Sequence, residues 1–301
     1  MFRRYLYLGN NQASILMICL WTIVILSILG MGLTGLVFQE IKFVKAYRRL
    51  SFSLPVARAG LRAVFLLRQK DPTPGFDTFG ELANENNQSL CGNNSYKYYL
   101  ADKRGSPDEI ELVDEGALVN LNTASLDVLK RLPGIDEEIA EDIAGSGLRP
   151  FGAINEVFLI EGMSKDKFLL FKDLVTVYGE GKININTARK DVLLALGLDA
   201  DTVEAILRCR QELKIDNPNP ESTEDFGYGF SSTNKILDDL RSFCSLSLSQ
   251  EQNILALLGV LDVRSECLRL NILPSFGGKE GLHYSIVINP LTEEILAWNE
   301  Y

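Results

Sequence analysis

The chain has 301 residues, is 46% hydrophobic, and carries 40 Asp and Glu against 30 Lys and Arg, for a net charge of −10 with a single histidine. That acid surplus excludes a general polyanion binder. One histidine, together with five cysteines at 19, 91, 209, 244 and 267 and no CxxC spacing, excludes zinc ribbons and most zinc enzymes.

Residues 14–38, SILMICLWTIVILSILGMGLTGLVF, carry no charge and are bounded by Arg3 and Arg4 before and by Glu40 and Lys42 after. The run exceeds the roughly 20 residues needed to cross a ~30 Å hydrocarbon core and the about 7–15 of a signal-peptide core, so it predicts a membrane-spanning helix. A plain anchor and a long uncleaved signal satisfy the same hydropathy. From residue 41 to about 68 the helical period continues through Val44, Tyr47, Leu50, Leu54, Ala57, Leu61, Val64 and Phe65, so one helix runs on out of the membrane. Pro55 predicts a kink or short break there. Gly30, Gly32 and Gly35 loosen the first half. Residues 1–70 hold ten Lys and Arg against Glu40 alone, a local +9 that leaves −19 for an acid-faced remainder.

A basic leader, a small residue, and an apolar run flowing into an amphipathic helix resemble the amino terminus of type IV pilin-like proteins, most nearly the minor pseudopilin K family of type II secretion. The resemblance implies cleavage by a prepilin peptidase between Ala13 and Ser14, with alanine where the family has glycine, and methylation of the new terminus. Gly9 is the competing site, but cutting there leaves Asn10, Asn11 and Gln12 heading a helix meant for lipid, at several kcal/mol if they are buried unpaired. Counting from Ser14, position five is Ile18, where most pilin-like subunits carry a glutamate that pairs with the neighbour above. A subunit without it needs no neighbour above. The resemblance therefore implies a cap at the tip of a short filament, although Ile18 also reads as an ordinary lipid-facing residue. It implies as partners the I- and J-type minor pseudopilins, the major pseudopilin, the prepilin peptidase and the bacterial inner membrane. It places the carboxyl-terminal domain in the periplasm. Flanking charge alone favours the opposite topology, but large domains cross largely regardless of charge.

Residues 71–95 are rich in Pro, Gly and Asn and read as a linker. Residues 96–100 (YKYYL) have strand composition, and 109–113 with 117–121 read as a hairpin about Asp114, Glu115 and Gly116. An internal repeat follows. Asn120-Leu-Asn-Thr-Ala124 and Asn184-Ile-Asn-Thr-Ala188 each open a helix, over 125–131 and 189–195, with Asn or Thr expected to cap its first amides. Each is followed by a glycine turn, at Pro133 and Gly134 and again at Gly197, and by a second helix over 136–144 and 199–211. Both units resemble helix-hairpin-helix motifs, with further helix at 154–160 and 164–175. Such turns suggest DNA, since their amides accept phosphate. Here Asp136, Glu137, Glu138, Glu141 and Asp142 follow the first turn and Asp199, Asp201 and Glu204 the second, so nucleic acid is not the expected partner. These acids complement the helix dipole instead.

Residues 216–232 form a turn-rich loop whose Asp216, Asn217, Glu224 and Asp225 offer calcium ligands without EF-hand spacing, and whose Phe226, Tyr228 and Phe230 alternatively mark a contact surface. Helices resume over 234–243 and 250–258. The tail, 266–273, 282–289 and 294–299, alternates as an antiparallel meander. Four cysteines outside the span form up to two disulfides in an oxidising compartment or stay as buried thiols. No phosphate loop or GxSxG turn is present, His283 lies in a strand pattern, and Asp238 and Asp239 point apart on a helix, so no catalytic site is expected and no cofactor beyond the calcium option.

The fold class is α+β: a long transmembrane pilin-like helix packed on a small antiparallel sheet, with a large all-α helix-hairpin-helix (SAM-like) insertion. The chain divides into a leader (1–13), the helix (14–70), an α/β pseudopilin domain (71–119 and 262–301) and the insertion (120–261). The function this implies is a minor pseudopilin capping the type II secretion pseudopilus, and the alternative is a membrane-anchored DNA-uptake receptor.

Overall fold

The computed structural model describes residues 11–71, 73–78, 82, 111–145, 147–215, 227–276, 279–280 and 282–301. The strand composition at 96–100, the calcium-option residues, Phe226, Gly9 and Cys91 lie outside the described residues. The chain divides into two compact units, Met1–Phe52 and Ser53–Tyr301.

Helix α1, Asn11–Gln69, is one uninterrupted helix with Pro55 inside it. The expected break is absent: Pro55 and Ser51, whose carbonyl it leaves without an amide partner, both lie on an exposed face, open to solvent. In the second unit the helix buries Ser53, Val56, Ala57, Leu61 and Val64, a stripe at three- and four-residue steps. Ser53 Oγ accepts from Leu282 N at 3.1 Å, and Gln69 Nε2 donates to Glu293 Oε1. These two bonds lay residues 53–69 along strand β9 (Tyr284–Asn289), one beyond each of its ends.

The sheet has the order β1-β6-β9-β10, all antiparallel, with β1 Glu111–Asp114, β6 Leu268–Ile272 and β10 Glu294–Glu300. Its register sets Leu112 opposite Leu270 and Leu270 opposite Ile286, and places Leu268 against Ile288 and Ile272 against Tyr284, so one face is continuously apolar. A bulge interrupts β10 between Ile295 and Ala297. A small hairpin, β7 Ser275–Phe276 with β8 Lys279–Glu280, lies between β6 and β9.

The hairpin expected over 109–121 does not form. After β1 the chain makes a 3-10 turn at Glu115–Ala117 and leaves the sheet, and β2, Val119–Asn120, pairs in parallel with β3, Val175–Thr176. Asp114 and Glu115 are buried rather than solvated at a turn tip, and distant donors hold them.

The insertion holds α2 Leu126–Lys130, α3 Glu137–Gly145, α4 Lys165–Phe171, α5 Lys190–Ala195, α6 Ala200–Glu212, α7 Ile236–Phe243 and α8 Leu248–Leu257. The segment expected as helix over 154–160 is a 3-10 helix, Ile154–Leu159, and α4 stops at Phe171 because the chain turns into β3. The insertion is not purely helical. Its first half is closed by the β2–β3 pair, and its second by β4, Ile183–Asn184, in parallel with β5, Leu261–Asp262. One contiguous core spans both halves and includes Leu129, Ile139, Phe171, Val192, Ile206 and Leu240.

Candidate functional site

The first candidate surface in the chain is the apolar part of α1, which is long and apolar enough to cross a membrane. No residue of the best apolar window of α1 is buried, and its large side chains, Ile18 among them at 61% exposure, stand outward on every side. A helix apolar all round meets lipid or other helices. The Ala13–Ser14 peptide lies within α1.

The doubled asparagine motif builds the same device twice. Asn120 Oδ1 accepts from Asn122 N at 2.8 Å, and Asn122 then pairs with Phe151, accepting from its N at 2.7 Å and donating to its O at 3.0 Å. Asn184 Oδ1 accepts from Asn186 N at 3.0 Å, and Asn186 pairs with Phe230 at 2.8 and 2.9 Å. Each second asparagine uses its amide as a strand edge uses its backbone, clasping the N–H and C=O of one phenylalanine. Its remaining donor reaches Val177 O in the first copy and Asp77 O in the second. The helix-capping role expected of these residues falls elsewhere: Ser125 Oγ accepts from Val128 N, and Arg189 precedes α5 with no side-chain cap.

The second copy also joins the insertion to the sheet. Asp114 Oδ2, at the end of β1, accepts from Ser265 Oγ at 2.6 Å, Thr187 Oγ1 at 2.5 Å and Asn184 Nδ2 at 3.2 Å. Asp77 Oδ2 accepts from Ser265 N at 2.7 Å, and its Oδ1 pairs with Arg68 Nη2 at 2.6 Å near the end of α1. Burial pushes the Asp114 carboxyl up to about 6 against the pull of the Ser265 and Thr187 hydroxyls, with Asp77's charge adding to the rise. Glu115 is also raised by burial, although Arg269 pairs with it and Thr176 donates to it.

No protein-family model and no curated protein matches this chain by sequence. In structure it is similar to GspK in the crystal structure of the GspK-GspI-GspJ complex from the enterotoxigenic Escherichia coli Type 2 Secretion System. The identity is 16% and the TM-score 0.55, over 87% of this chain and 99% of that one. The chain has the GspK fold. A match over that share must take in the sheet and much of the helical insertion together.

Within this GspK fold each glycine turn takes a left-handed backbone and lies close against another residue of the chain. Gly134 has φ +80°, and a Cβ there would stand 2.9 Å from Lys167 O and 3.0 Å from Leu170 Cδ1. Gly197 has φ +97°, and its Cβ would stand 3.0 Å from Arg131 Nη1. The acids after each turn are engaged locally, Asp136 with Lys167 at 2.8 Å and Glu137 with Lys130 at 2.5 Å, while Asp199 caps α6 through Thr202 N. Pro133 is exposed beside the first turn. At Gly134 the space a side chain would need is taken by Lys167 and Leu170 of α4, whereas Gly197 is exposed beside the end of the Arg131 side chain.

Among the described residues no group of His, Cys, Asp and Glu could hold a metal. Cys19, Cys209, Cys244 and Cys267 are free thiols, and burial pushes Cys209 and Cys267 each up to about 12. His283 exchanges both backbone hydrogen bonds with Tyr301, and burial lowers its imidazole below the usual histidine range. Tyr228 is half exposed and Phe230 fully buried in the second clasp. One surface escaped the sequence reading: Phe158, Leu159, Leu169 and Leu170 are exposed in the first half of the insertion. The run Phe168-Leu169-Leu170-Phe171 carries the signal, because a short helix that buries both phenylalanines turns the leucines outward.

Proposed function

We propose that this chain is a minor pseudopilin of a type II secretion system, anchored in the inner membrane by α1 with its second unit in the periplasm, and that it caps the tip of the pseudopilus and initiates its assembly. The observation that carries this reading is the GspK fold over 99% of the GspK chain, joined to an apolar helix long enough to span a membrane. Cleavage between Ala13 and Ser14 would release a helix whose fifth residue, Ile18, offers no carboxylate to a subunit above. The acidic insertion, with its two helix-hairpin-helix-like units, would sit at the tip and leave no room for a subunit above it. GspK was solved together with GspI and GspJ, so the partners proposed here are the I- and J-type minor pseudopilins, with the major pseudopilin below. Function then resides in surfaces, and the role is structural. The DNA-receptor reading is disfavoured by the acids that follow each turn, which would face a polyanion with like charge.

The test is to express the full chain with and without a prepilin peptidase, determine its amino-terminal sequence, and co-purify it with I- and J-type subunits. A chain starting at Ser14 that elutes with both subunits is the expected result. A chain left whole by the peptidase that binds neither subunit would sink the proposal.

A further inference from the structure

The first unit carries a second surface that the secretion reading does not use. Just past the uncharged span, α1 bears Lys42, Lys45 and Arg48, with Arg49 next in sequence, against Glu40 alone. Successive helical residues turn by about 100°, which places Lys42, Lys45 and Arg48 within about 120° of one another. All three are exposed, and none has an ion-pair partner among the described residues. On the other side of the helix stand Phe43, Tyr47 and Leu50, exposed as well, with the rings of Phe43 and Tyr47 stacked at 6.5 Å. Cations on one face, with a tyrosine and apolar side chains on the other, are the pattern of a segment that sits at a membrane–water interface.

The reach fits. Lys42 lies four residues past Phe38, about 6 Å along the axis, and Lys45 about 10 Å. The headgroup layer extends about 5–8 Å beyond the hydrocarbon on each side, and a lysine or arginine stem can bring its charge several ångströms back towards it. Lys42 meets the phosphate level directly, Lys45 reaches it with its stem, and Arg48, about 15 Å out along the axis, reaches it by stem and helix tilt together.

We propose that Lys42, Lys45 and Arg48 form a headgroup site for anionic phospholipid, of which phosphatidylglycerol, a phosphodiester with one negative charge, is the simplest example. The cations meet the lipid phosphates while Phe43 and Tyr47 fix the depth of the helix. The site rests on the membrane-span part of the proposed function and not on secretion, and it works in either leaflet.

The test is native mass spectrometry of the full chain released from nanodiscs of equimolar phosphatidylglycerol and phosphatidylethanolamine. The wild-type chain should retain phosphatidylglycerol over phosphatidylethanolamine by at least about fivefold, the order expected from a single cation near an anionic surface. The variant K42Q/K45Q/R48Q should bring that ratio close to one. Equal retention by the wild-type chain, or an undiminished preference in the variant, would overturn the site. Alkaline carbonate separates this failure from the other: a wild-type chain that carbonate extracts from membranes overturns the span and the site together, and a chain that stays inserted without lipid preference overturns the site alone.

Discussion

Asn122 and Asn186 each hold a phenylalanine backbone by both its N–H and its C=O, and they differ in burial, the second being 2% exposed. Replacing Asn186 with alanine strands two backbone groups of fully buried Phe230 and removes one of the two donors, Asn184 being the other, that meet the carbonyl of Asp77, and should cost about 2–4 kcal/mol. Asn122→Ala, at a half-exposed site where water can substitute, should cost about half as much. Urea midpoints of the full chain in detergent would check the order, and an equal effect would refute it. Asp114 makes a prediction of its own. Its carboxyl titrates at about 6 when folded against 3.8 unfolded, so between those values the folded chain binds more protons. Its contribution is therefore complete below about pH 4 and is lost as pH rises through 6, an amount of about 3 kcal/mol at 1.36 kcal/mol per unit. Asp114→Asn should flatten the pH dependence of stability over that window, and a slope unchanged from the wild type would refute the assignment. The burial that raises Cys209 and Cys267 to about 12 should also keep both unalkylated by iodoacetamide until the chain unfolds, as peptide mass mapping would show.

At the scale of elements, the two glycine turns look alike in sequence and differ in what they meet. A methyl at Gly134 runs into the backbone carbonyl of Lys167, which is fixed by α4, whereas one at Gly197 meets the end of the Arg131 side chain, which can swing away. Both also force a left-handed φ on a residue with a Cβ. Gly134→Ala should therefore destabilise by about 2–4 kcal/mol and Gly197→Ala by about 1–2. Thermal melts that rank them the other way would contradict the packing described. The elements that follow a local period were legible in the sequence: the span, the helices of the insertion, and β6, β9 and β10. The pairs β2–β3 and β4–β5 were not, because two-residue parallel bridges between distant segments leave no alternation to read. The asparagine motif was visible as a repeat, but its role was not, since Phe151 and Phe230 lie 29 and 44 residues away. Pro55 misled because an interior proline is costly in general, and only its exposed placement makes it tolerable here.

For the second unit as a whole, the shared core decides how the insertion unfolds. Leu129 and Phe171 of the first half belong to the same buried cluster as Val192 and Leu240 of the second, so neither half has a core of its own. Hydrogen exchange should accordingly show the slow amides of Val119 and Ile183 opening with the same free energy, and two separated values would argue for independent halves. The paired ends of each half have another consequence. Parallel neighbours lie about 5 Å apart, so the chain enters and leaves each half at nearly one point. A segment whose doorway is that narrow can lengthen, shorten or exchange its contents over generations without moving the sheet to which it is joined.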